Sequence, residues 1–154
     1  MLRHRHLPHL RSFNGQPIVF ITAVTHDRIP ALANPAAFNV PTEIWRRSPV
    51  FDGWFVGDFV LMPDHVNLFA RSARDAKALS DWIKTWKSLS SRQLTSTRGR
   101  ATPFWQRDYF DRFLRSAENY QEKWDYVAMN PVRRGLCARP RDWPWRGRLF
   151  DLMF

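Results

Sequence analysis

Two side chains able to hold a metal stand two positions apart in FVLMPDHVNLFA, residues 59–70: His65 and Asn67. Successive residues of a strand point to opposite faces, so this pair shares one face while Val66 and Leu68 take the other. Together they offer an imidazole nitrogen and a carboxamide oxygen. A divalent, oxygen-preferring ion such as Mg²⁺ or Mn²⁺ accepts that set, although Asn brings no negative charge. A histidine in such a place more commonly makes a hydrogen bond within a half-buried strand, and the pair alone favours that outcome. A second constellation lies in SAENYQEKWDYVAMN, residues 116–130. Tyr120, Trp124, Val127 and Pro131 follow one helical stripe, the expected core side. Tyr126 lies off it, with Glu122, Lys123 and Asn130 three or four positions away. A tyrosine so placed can carry a nucleophilic hydroxyl beside a further ligand, Asn130. On spacing alone, a tyrosine that packs its ring and wets its hydroxyl is the more frequent case.

The elements that must position these residues follow from local pattern. PIVFITAVT (17–25) is apolar and β-branched and predicts a strand. NPAAFNVPTEIWRRS (34–48) predicts a short helix interrupted at Pro41. GWFVGDFVLM (53–62) and HVNLFARS (65–72) predict a hairpin about Pro63–Asp64. DAKALSDWIKTWKSLSSRQL (75–94) spaces Leu79, Trp82, Ile83, Trp86 and Leu89 as one helical face. Lys84, Lys87 and Ser91 fall on the other side, so a basic outer face is expected. TSTRGRATP (95–103) predicts a loop and YFDRFLR (109–115) a fourth strand. Residues 116–130 predict a helix capped by Ser116 and closed by Pro131 and Gly135.

The order β-α-β-β-α-β with one added C-terminal helix is the ferredoxin-like split βαβ arrangement of the α+β class. A single domain over 1–154 is expected, with 1–14 flexible despite its HRH at 4–6, and with 131–154 a basic, irregular tail carrying Trp143 and Trp145. That topology serves many functions and selects none of them.

Composition narrows the choice. The formal charge is +10, and 20 of the 24 basic residues are Arg, which favours bidentate phosphate contacts over mere solubility. Eight Trp and twelve Phe give rings that pack a core or stack on unpaired bases. An acidic protein partner would also suit that charge. Cys137 is the only cysteine, which excludes an intramolecular disulfide and a cysteine-based zinc site. The basic start MLRHRHLPHL lacks an apolar signal core, and no apolar run reaches membrane-spanning length. A cytoplasmic location, with DNA or RNA in reach, is expected.

LMPDHVNLFA, FWQRDYFDRFLRSAENYQEKWDYVAMNPVRRGL and DWPW resemble the REP-associated tyrosine transposases, single-tyrosine HUH transposases of small insertion sequences. The resemblance covers residues 17 to 146, and its most specific parts are MPDH, WQR and the block from DY to NPVRRGL. It implies metal-assisted nicking and rejoining of single-stranded hairpin DNA through a 5′-phosphotyrosine and a free 3′-OH. Carried over residue by residue, Tyr126 is the nucleophile, His65 the first metal ligand and Asn130 the ligand on the helix. The family's second histidine is Asn67 here. Losing a ligand should weaken the metal, since even outer-shell losses reach about 10–100-fold. Implied DNA contacts are Lys84 and Lys87 on the second helix, Arg133 and Arg134 after the tyrosine, and Arg139, Arg141, Trp143 and Trp145 in the tail. Exposed lysines on such a helix are more often a solvated face, and the tryptophans serve tail packing equally well. Three readings stay open: a metal-dependent tyrosine transposase, a hairpin-binding module with weakened or lost catalysis, and a protein-interaction domain. The chain could act as a monomer or a homodimer.

Overall fold

The computed structural model describes residues 13, 15–96 and 103–153; most of the expected flexible segment 1–14 and of the loop 95–103 lies outside these residues. The elements are β1 (Ile18–Val24), α1 (Pro35–Phe51), β2 (Trp54–Leu61), β3 (His65–Ser72), α2 (Leu79–Ser96) and β4 (Phe110–Leu114). They are followed by α3 (Ala117–Ala128), a short α4 (Asn130–Arg133) and β5 (Arg146–Arg148). The five strands form one antiparallel sheet in the order β4-β1-β3-β2-β5. The first four strands and two helices are the expected ferredoxin-like arrangement.

The parity of the strands divides the molecule into two layers. Val19, Ile21 and Ala23 of β1 and Val66, Leu68 and Ala70 of β3 face α1 and α2. There Trp45, Trp82 and Trp86 are fully buried, and Trp54 stacks on Trp82 with centroids 4.9 Å apart. Ring pairs of this kind add roughly 0.5–1.5 kcal/mol beyond burial of area. Ile18, Phe20 and Phe69 point the other way and receive Tyr120 and Val127 of α3. His65 and Asn67 alternate with Val66 and Leu68, so they lie on this second face, under the layer that carries α3.

Three local readings change. α1 continues through Pro41 and Pro49 to Phe51; Pro41 is buried in the α-layer, and the Thr42 hydroxyl folds back to donate to Phe38 O at 2.8 Å. In α2 the buried stripe is Trp82, Ile83, Trp86, Lys87 and Ser90, while Leu89 is exposed, so the inner face is rotated from the expected one. Ser90 enters the core because its hydroxyl accepts from Trp105 Nε1 at 2.9 Å and donates to Trp86 O at 2.7 Å. The tail is not irregular: β5 pairs with the outer edge of β2, with Gly147 packed against the Phe59 ring.

β2 carries one bulge, between Val56 and Phe59. The extra residue brings Asp58 to the α3 face, where Tyr120 Oη donates to Asp58 Oδ2 and Arg148 Nε lies 3.6 Å from Oδ1.

Candidate active site and nucleic-acid interface

α3 starts where the sequence places it. Ser116 is extended, and its hydroxyl accepts from Asn119 N–H at 3.1 Å, with Glu118 in the first turn. Tyr120, Trp124, Val127 and Pro131 form the packing stripe, and Tyr126 lies off it, 60% exposed. Its ring is covered by cations. The Arg133 guanidinium sits 3.9 Å from the ring centroid and Lys123 Nζ 6.0 Å from it, while Lys123 also lies 4.7 Å over Phe20. Arg133 donates to Tyr126 O at 2.5 Å and also to Asn130 Oδ1. Asn130 does not continue α3: the helix breaks at Met129 and Asn130 opens α4, where Pro131 fits the first turn.

On β3, His65 Nδ1 is 2.8 Å from Asp64 Oδ1, and Arg28 donates to Asp64 Oδ2 at 3.1 Å. Burial raises the Asp64 carboxyl, but the hydrogen bonds from His65 and Arg28 outweigh it and hold its pKa below the ordinary value. When Nδ1–H is donated to that carboxylate, a neutral His65 carries its lone pair on Nε2. Asn67 is buried directly across from Thr22, whose hydroxyl donates to Asn67 Oδ1 at 2.8 Å.

The implied metal must take its donors from this set. They are one imidazole nitrogen and two neutral carboxamide oxygens, and both oxygens already accept hydrogen bonds, one of them from a guanidinium. Among the described residues no group of three or more His, Cys, Asp and Glu is placed to hold a metal. Mg²⁺ and Mn²⁺ prefer anionic oxygen, so the set as it stands does not fit a tightly held divalent ion.

The remaining expected contacts are spread over the surface. Lys84 is exposed on α2, in the layer opposite α3. Lys87 is corrected from an outer-face residue to a buried one, because its ammonium is enclosed by the segment before β4. It donates to the carbonyls of Gln106 at 2.9 Å and Asp108 at 3.0 Å and reaches that of Arg107 at 3.4 Å. Burial pushes its pKa down to about 8. Arg134 and Arg141 are exposed, and Arg139 pairs with Asp142 at 3.1 Å. The tryptophans pack the tail to the body. Trp143 is buried with Nε1 donating to Leu61 O at 2.9 Å, and Trp145 lies against Phe38.

Tyr126 opens into a cleft of about 680 Å³ between β4 and α3, lined also by Arg112, Phe113, Leu114, Arg115, Asn119, Glu122 and Lys123. His65, Asn67 and Asn130 share the sheet face or the helix end with Tyr126 but do not line this cleft. Sequence reasoning noted Lys123 only as a helical neighbour and missed Arg112 and Arg115. The alternation of YFDRFLR, which puts Arg112 beside Phe20, was the available signal.

One five-stranded antiparallel sheet thus carries, across one face, the helix that bears Tyr126. Among solved structures, the REP-associated tyrosine transposase bound to a REP hairpin matches with a TM-score of 0.67 at 20% identity, over 85% of this chain and 76% of that one. In sequence the chain is similar to the REP-associated tyrosine transposase of Escherichia coli (strain K12), 24% identical over 91 residues, 58% of this chain and 52% of that protein. A Haemophilus influenzae relative under the same family name is 24% identical over 94 residues, 55% of this chain and 53% of that protein. The chain spans about half the length of the curated relatives it matches. No family model matches it. The resemblance to the REP-associated tyrosine transposases is therefore present in both sequence and fold.

Proposed function

We propose that this chain is a transposase-like protein that binds hairpin DNA with single-stranded flanks and presents Tyr126 to the strand, with cutting attenuated by Asn67. The observation that carries the reading is the setting of Tyr126: an exposed phenol between Lys123 and Arg133, lining a cationic cleft. Those two cations attract a phosphodiester and offset charge that grows on it during attack. Nicking would join Tyr126 Oη to phosphorus as the bond to the 3′ oxygen breaks, leaving a 5′-phosphotyrosine and a free 3′-OH. The hydrogen-bonded Asn67 and Asn130 oxygens are weak donors for Mg²⁺ or Mn²⁺, which supports slow cutting beside intact binding.

The test is a labelled hairpin oligonucleotide run on a denaturing gel with Mn²⁺, Mg²⁺ or EDTA. Tight binding with a faint or absent adduct is expected for the natural chain. Asn67→His should strengthen a metal-dependent adduct, and Tyr126→Phe should abolish it. A strong adduct from the natural chain would show that Asn67 suffices. Failure to bind the hairpin at all would remove the DNA reading and leave an acidic protein partner.

A further inference from the structure

We propose that the cavity between α2 and the segment before β4 is a binding site for a small planar aromatic molecule bearing one anionic group, a carboxylate or sulfonate. The cavity lies in the layer opposite α3, and its role does not rest on the DNA reading. Its volume of about 660 Å³ suits a small ligand. Ser80, Lys84, Lys87, Ser88 and Ser91 recur at helical spacing along one side of α2 and make one wall, with Ile83 beside them. Phe104, Trp105 and Tyr109 make the other. That second wall is fixed before any ligand arrives. Trp105 Nε1 donates to Ser90 Oγ at 2.9 Å, and its ring meets Trp86 and Phe104 edge-on, with centroids 5.4 and 5.2 Å away. A rigid aromatic wall favours a flat, equally rigid occupant, which loses little freedom on binding.

The charge of the lining sets the second requirement. Lys84, Lys87 and Arg107 stand against one carboxylate, Asp108, and His26 and Tyr109 complete the titratable groups. Lys87 is the informative one. Only 8% of it is exposed, and its ammonium is directed to three backbone carbonyls, so among the described residues its charge has no ion-pair partner. Asp108 acts on it from beyond ion-pair distance, and burial outweighs that help. A buried charge met by dipoles alone is poorly compensated, and an anion in the adjoining space would be its counter-ion. Lys84, one turn earlier and exposed, forms no ion pair or hydrogen bond among the described residues and is free to donate to that anion. One anionic group fits this pair of lysines, and the flat remainder of the molecule fits the aromatic wall.

The experiment titrates the full chain with 2-naphthoate at pH 7 by isothermal calorimetry. 2-Naphthamide supplies the same rings without the charge, and acetate the charge without the rings. Naphthoate should bind at one site, about tenfold more tightly than the amide, and excess acetate should not displace it. In carbon NMR the titration midpoint of Lys87 Cε should rise from about 8 when naphthoate is bound, because the anion favours the ammonium form. Lys84→Gln should weaken naphthoate about threefold, leave the amide within about twofold and leave thermal unfolding unchanged, a charge-selective loss that misfolding does not produce. Absence of naphthoate binding, equal affinity for naphthoate and the amide, or a Lys87 midpoint that stays near 8 would each overturn the proposal. Displacement of bound naphthoate by an equal concentration of single-stranded oligonucleotide would overturn it as well, since the space then belongs to a nucleic-acid strand.

Discussion

Lys87 sets a charged ammonium inside the protein where a residue of the same shape without charge would also fit, and its titration exposes that choice. Burial lowers its pKa from 10.5 to about 8, with Asp108 acting in the opposite sense. The unfolded chain therefore holds a proton that the folded chain releases between pH 8 and 10.5. Stability contributed at this site rises with pH across that window, because the burden of the buried charge is present below pH 8 and relieved above it. Urea unfolding of the natural chain and Lys87→Met at pH 7 and pH 9.5 should show the natural chain gaining relative to the variant at the higher pH. At pH 7 the variant should lose roughly 1–3 kcal/mol, as three carbonyls give up their donor. An equal gap at both pH values would mean that the three acceptors hold the proton as firmly as water does. Strand parity alone put His65 and Asn67 on one face and helical spacing alone put Tyr126 off the core stripe. Their partners needed long-range register. Thr22 is 45 residues from Asn67, and nothing in either segment announces the pair.

Between elements, two junctions hold α3 and the sheet in place. Asp58 reaches the α3 face only through the bulge in β2, and its carboxylate takes the Tyr120 hydroxyl. Burial, then the hydrogen bond to Asp58, raise the Tyr120 pKa well above its ordinary value, so the phenol stays a donor. Tyr120→Phe should lower stability by about 1–3 kcal/mol in urea unfolding, since it leaves a half-buried carboxylate with less solvation. At the α1–β2 junction Gly53 has φ +77, and an added Cβ would meet the Ala76 backbone at 2.7 Å. Gly53→Ala should therefore cost at least about 2 kcal/mol, from strain and clash together. Gly135, with φ +71 and open space around it, should lose less on the same change. The sequence displayed the four main strands and three long helices because each carries its own period. β5 was hidden, since three residues, RGR, have no period; Trp143 and Trp145, docked on Leu61 and Phe38, hold it against β2.

At the scale of the whole molecule the sheet separates stability from the proposed binding. One layer holds the tryptophan core under α1 and α2; the other carries Tyr126, His65, Asn67 and the β4–α3 cleft. Arg71 fastens the two ends of the described chain to β3, donating to Gln16 O at 2.6 Å and to Leu152 O at 2.6 Å. With +10 on 154 residues, attraction to any polyanion is expected, so affinity alone identifies nothing. Salt and sequence together do. Arg134 and Arg141 are exposed and make no side-chain pair among the described residues, so their proposed role is phosphate contact without base reading. Arg134→Gln with Arg141→Gln should weaken every hairpin alike and reduce the slope of log affinity against log salt by about 1.8, near 0.9 for each duplex phosphate released. Preference for a palindromic hairpin over a scrambled strand should survive that change, because base and shape contacts lie elsewhere. If the natural chain shows no such preference at any salt, its charge serves an acidic partner, and the resemblance ends at the fold.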